Sequence, residues 1–90
     1  MNTKIDLNDF EKLSEIVKIL NEQIKDNCIN DNLKKYFLKN KLDVDLLIDV
    51  ELDFSHKNIY DFSFLYKDNI YNSLDVHIIN LNTMNNILKG

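Results

Sequence analysis

Leu42-Asp43-Val44-Asp45-Leu46-Leu47-Ile48-Asp49-Val50-Glu51-Leu52-Asp53-Phe54 is the stretch that decides the fold. Its seven even positions are all apolar, and five of the six odd positions between them are carboxylates. Side chains on a strand alternate between faces, so residues 42–54 read as one long strand with a greasy face and an acidic face. A helix through the same residues would align only Leu46, Leu47, Val50 and Phe54, leaving Leu42, Val44, Ile48 and Leu52 scattered.

Downstream, His56-Lys57-Asn58 reads as a three-residue hairpin loop whose last residue takes the left-handed conformation that Asn tolerates. This loop sets Phe54 opposite Tyr60, Leu52 opposite Phe62, Val50 opposite Phe64 and Ile48 opposite Tyr66. A four-residue loop would instead set Leu52 against Asp61, which the burial of one face forbids. Lys67-Asp68-Asn69 has the same chemistry, and the same rule pairs Tyr66 with Ile70, Phe62 with Leu74 and Tyr60 with Val76. The expectation is a three-stranded antiparallel meander over residues 42–54, 59–66 and 70–79, with helices on its aromatic face. Residues 42–46 would outrun the second strand, leaving an edge open to the N-terminal segment, a second copy or a partner.

Upstream, Phe10, Leu13, Ile16, Val17, Leu20, Ile24 and Cys28 recur at three- and four-residue spacing, which makes residues 8–29 an amphipathic helix capped by Asp6 or Asn8. Ile5 and Leu7 ahead of it have the makings of a short strand. Asn30-Asp31-Asn32 breaks and recaps the chain, and Leu33, Tyr36 and Phe37 carry a shorter helix to Asn40. Lys34, Lys35, Lys39 and Lys41 form the one basic patch, placed where cations complement a helix C-terminus. Without Arg and with few interleaved aromatics, it does not fit nucleic acid. Thr83 caps a last short helix carrying Met84, Ile87 and Leu88. The expected fold is one α+β domain over residues 1–90: two N-terminal helices, a meander packed on one face by helices, and a short C-terminal helix.

Composition narrows the class. With 44% apolar and 29% charged residues the chain is a soluble globular protein, and no apolar run approaches a membrane span. The polar, acidic residues 1–10 resemble neither a secretory signal nor a transit peptide. A single cysteine, Cys28, reads as a buried helix position, and together these features point to a reducing cytoplasm. Arg, Ala and Pro are absent while Asn, Lys, Ile and Asp abound, the mark of an AT-rich genome: a bacterium, a phage or a plasmid. Residues 1–41 hold eight Lys against seven acids, whereas residues 42–90 hold three Lys against eight acids. The negative excess therefore sits in the sheet, which repels nucleic acid and membranes and attracts basic proteins.

On the solvent side, the expected registration puts Asp53, Asp61 and Asp75 in one row, Glu51, Ser63 and Ser73 in the next, and Asp49, Leu65 and Tyr71 after that. Like charges about 5 Å apart in such a row destabilise a sheet. One explanation is a solvated face that keeps the sheet from aggregating. Another is a surface for a basic protein, with Leu47, Leu65 and Tyr71 as its apolar centre and Asp43, Asp45, Asp49, Glu51, Asp53, Asp61 and Asp75 as its acidic rim. A third is a Mg²⁺ or Ca²⁺ site of Asp53, Asp61 and Asp75, with His77 nearby on the outer face, serving phosphodiester hydrolysis. The row lacks the nearby cation and the concavity such hydrolysis uses. His56 falls in a turn, Tyr60 and Tyr66 in the core, and no glycine-rich phosphate loop can form when the sole Gly is Gly90. No catalytic residue, metal or other cofactor is expected.

These features lead to a non-enzymatic inhibitor that masks the basic, nucleic-acid-binding surface of a partner protein without binding nucleic acid or membrane itself. In size, charge and composition the chain resembles small acidic anti-defence proteins of phages and mobile elements, anti-CRISPR proteins among them. An immunity protein or antitoxin against a basic toxin is the alternative, and a metal-dependent phosphodiester hydrolase the second.

Overall fold

A computed structural model describes residues 10–56, 59–68 and 70–89. In order they form α1 (Phe10–Lys25), α2 (Asp31–Lys39), a 3-10 turn (Val44–Leu46), β1 (Leu47–His56), β2 (Ile59–Asp68), β3 (Ser73–Asn80) and α3 (Leu81–Lys89). The class is α+β with the expected order of helices, meander and C-terminal helix, and the sheet is antiparallel in the order β1-β2-β3. The expected strand at Ile5 and Leu7, the cap at Asp6 or Asn8, and loop residues Lys57, Asn58 and Asn69 lie outside the described residues.

Both N-terminal helices stop in the same way. At the end of α1, Asn27 takes φ 56°, its N–H reaches Ile24 O (3.2 Å) and the Cys28 N–H reaches Gln23 O (2.8 Å). These two bonds satisfy carbonyls that would otherwise be orphaned. The helix therefore ends short of the expected residue 29, which leaves Cys28 exposed and gives its place in the core to Ile29. At the end of α2, Lys41 takes φ 60°, with Lys41 N–H on Leu38 O (3.1 Å) and Leu42 N–H on Phe37 O (2.8 Å). Asn30 starts α2 by accepting the N–H groups of Asn32 (2.9 Å) and Leu33 (3.3 Å). Asn80, rather than Thr83, starts α3, its side-chain oxygen Oδ1 accepting the Thr83 N–H at 2.7 Å.

The first third of the expected long strand is not strand. Asp43 accepts the Asp45 N–H on its side chain (2.9 Å), and the Leu46 N–H bonds Asp43 O (3.0 Å). A short carboxylate that competes for a nearby N–H favours a turn over a ladder, so the unpaired overhang expected at residues 42–46 does not exist. β1 then opens on a bulge. Leu47 pairs with Tyr66 and Asp49 with Leu65, which leaves Ile48 as the extra residue. The bulge turns Leu47 into the core and leaves Ile48 half exposed, the reverse of the alternation. Past it the expected register holds, with Val50 opposite Phe64 and Leu52 opposite Phe62. A second irregularity lies between Asp53 and His56, and His56 pairs with Ile59, so the expected Phe54–Tyr60 pair is not part of the ladder.

The second hairpin differs more. Its strands run on to Asp68 and Ser73, closing a loop at residues 69–72 rather than 67–69. Asp68 accepts the Ile70 N–H (2.8 Å) and Asn72 takes φ 51°, the side-chain and left-handed devices of a longer turn. Tyr66 consequently faces Asp75 instead of Ile70, a displacement of five residues. Because five is odd, every β3 side chain changes face.

Val50, Phe62, Phe64 and Ile79 supply the inner face, where Leu13, Ile16 and Leu20 of α1, Leu33 and Phe37 of α2, and Met84 of α3 complete one core. Phe37 meets Phe64 edge-on at 5.1 Å, a geometry worth about 0.5–1.5 kcal/mol beyond its burial. No buried side-chain nitrogen or oxygen among the described residues lacks a hydrogen-bond partner.

Candidate partner-binding face of the sheet

All three helices spend their apolar stripes on that core, so among the described residues none of them covers the outer face of the sheet. The register builds this face in rows. Asp53, Asp61 and Asn80 lie together, then Glu51, Ser63 and Ile78, then Asp49, Leu65 and Val76, and beyond them Lys67 beside Leu74. The β1 side is acidic and the β3 side is apolar. Leu74, Val76 and Ile78 are 63%, 47% and 52% exposed.

Of the residues expected in a partner-binding patch, Asp49, Glu51, Asp53, Asp61 and Leu65 do share this face. Asp61 is buried and Asp49, Asp53 and Leu65 are half-buried, leaving Glu51 the exposed acid among them. The other five are elsewhere. Leu47 is in the core, Asp43 and Asp45 sit in and before the 3-10 turn, and Tyr71 is exposed in the β2–β3 turn. Asp75 lies on the opposite face, where its Oδ2 accepts the Tyr66 hydroxyl at 3.3 Å. Burial and the Asp75 carboxylate hold the Tyr66 hydroxyl above its ordinary pKa.

The expected trio Asp53, Asp61 and Asp75 is thus divided between the two faces, and with it the proposed metal site loses its ligand set. Among the described residues no group of three or more His, Cys, Asp or Glu could hold a metal ion. His77, expected outside beside Ile59, is on the inner face opposite Phe64. Its Nε2 lies 2.9 Å from the Tyr36 hydroxyl and its ring packs edge-on against Tyr36 and Phe37. Burial lowers its pKa and raises that of Tyr36, so the pair is neutral.

The apolar half was missed because the expected register turned Leu74, Val76 and Ile78 inward. The signal that could have found it is Ile78-Ile79, where the alternation of β3 breaks and leaves the choice of face open. An open cavity of about 700 Å³ lies between α2 and the segment after it, with Lys34, Lys35 and Lys41 around Leu38, Leu42 and Val44. Asp31 and Asp43 also line it, so the basic patch is partly neutralised from within.

Comparison with family models, with curated proteins and with solved structures returned no match. No described helix is long and apolar enough to cross a membrane.

Proposed function

We propose that the chain is a non-enzymatic binding protein whose outer sheet face docks on the basic, nucleic-acid-binding surface of a partner protein and masks it, an inhibitor of the phage or mobile-element anti-defence type acting in the cytoplasm. The observation that carries this reading is the division of one face, free of the described helices, into an acidic half on β1 and an apolar half on β3. Asp49, Glu51 and Asp53 recur at every second residue along β1, roughly 7 Å apart, so their carboxylates form a line that stands in for phosphates and steers a cationic surface into contact. The apolar half supplies the desolvated centre that interfaces need beside a charged rim.

The test is capture of a partner from the host, followed by titration of the purified partner with wild type and with Glu51→Lys and Asp49→Lys. Binding is expected to weaken at least tenfold in each variant, to fall with salt, and to be competed by the partner's own nucleic acid. Affinity that ignores both reversals defeats the reading. A captured partner that is a toxin encoded beside this gene would make the protein an antitoxin using the same face.

A further inference from the structure

We infer that a second copy of this chain docks along the open edge of β3, forming a two-fold antiparallel β3–β3 pair and one continuous sheet through both molecules. The inference is independent of the partner proposed above. Its starting point is the contrast between the two edges of the sheet.

The β1 edge is engaged at Val50. The Asn21 side chain of α1 accepts the Val50 N–H (2.8 Å) and donates to Val50 O (2.9 Å), occupying both backbone groups as a neighbouring strand would. Those two bonds also set the parity of the whole sheet. Val50 faces Phe64 but turns its N–H and C=O away from β2, so Phe64 turns its own toward β3 and His77 answers them. The N–H and C=O groups of Leu74, Val76 and Ile78 therefore point out of the β3 edge. The Val76 N–H agrees, since its acceptor is the adjacent Asp75 Oδ1 at 2.8 Å and not β2. Among the described residues nothing crosses this edge.

Protein edges are normally blunted by lysine, proline, a bulge or brevity. β3 is eight residues long, has no Lys or Pro, and pairs with β2 without a register shift. It is also self-complementary in one register. Centring the pair on Val76 sets Val76 against Val76 and Leu74 against Ile78 of the second copy on the outer face, and exchanges about six backbone hydrogen bonds. On the inner face it sets Asp75 against His77 of the second copy, a carboxylate opposite a ring that spends only Nε2 on Tyr36. Centring on Asp75 would oppose two carboxylates, and centring on His77 would oppose Asp75 to the buried Ile79. Pairing through β3 also sends the two acidic β1 strands to opposite ends of the joined sheet, about 24 Å apart at the usual strand spacing and beyond the reach of their repulsion in physiological salt.

Sedimentation of the full chain from micromolar to near-millimolar concentration tests this. Wild type is expected to pass from one chain mass to two, while Leu74→Lys and Val76→Lys, both on the solvent side, weaken dimerisation at least tenfold with unchanged circular dichroism. Val76→Pro removes an N–H that the β2 ladder does not use and should also stay monomeric; if it fails to fold, the lysine variants decide. A wild type that remains monomeric throughout overturns the inference. So does a dimer that survives both lysine variants, or one that Glu51→Lys abolishes, which would move the interface to the acidic half of the face.

Discussion

His77 spends its ring on the core, not on solvent. Desolvation beside Tyr36 and Phe37 lowers its pKa below the ordinary 6.5, so on acidification the unfolded chain takes up a proton before the folded one does. The stability contributed by the neutral ring is complete above about pH 6.5 and is lost as pH falls from there toward the folded value. His77→Gln removes this titration. Urea midpoints measured between pH 7.5 and 5, at low protein concentration, should fall more steeply for wild type than for the variant. Parallel curves would mean that the imidazole is as well hydrated folded as unfolded.

At the scale of elements, the helix ends carry a local cost that the composition explains. A chain with one Gly has to place other residues where the backbone turns left-handed, and it uses Asn27, Lys41 and Asn72. Asn is tolerated there, whereas Lys, which has no short polar group to bond its own backbone, bears the full steric penalty. Lys41→Gly should therefore stabilise the fold by about 0.5–1 kcal/mol, with Lys41→Ala near neutral, in equilibrium urea unfolding. A glycine variant no more stable than wild type would show that the cap of α2 is unstrained.

The same scale shows what the sequence made legible. Alternation from Val50 onward registered β1 on β2 correctly, because a slip by one residue would turn Asp61 onto the core face beside Leu52. Ahead of Val50 the pattern misled, since Asp43 is equally suited to capping a turn, and one extra residue at Ile48 reverses the parity of everything before it. The second hairpin was read by analogy with the first. Its loop instead exploits Asp68 and Asn72, and the burial of Ile79 and His77 against α2 and α3 outweighs the alternation of Leu74, Val76 and Ile78. Half of the candidate site followed from the correct register and half was hidden by the wrong one.

Across the whole molecule, the charge is lopsided and the fold does not disperse it. Residues 42–90 hold eight acids against three Lys. An excess of one sign opposes folding by self-repulsion, and salt screens it. Melting temperature should rise from low to half-molar NaCl. About 1 kcal/mol of relieved repulsion corresponds to roughly 4–8 °C in a domain of this size. A flat or falling melting temperature would show that the acids are already compensated, and would remove one reason for a cationic partner to bind.

The amide of Asn21 has a consequence for how copies add up. A sheet molecule with one sticky side has a valence of one, so growth halts at a closed, symmetric pair. Were helix α1 to peel away, Val50 would lose its surrogate neighbour, and if copies add at β3 as inferred above, a strand adding at β1 as well would give growth without limit, as amyloid-forming chains show. For the pair inferred above, the Asn21–Val50 contact is thus one guard against open-ended growth.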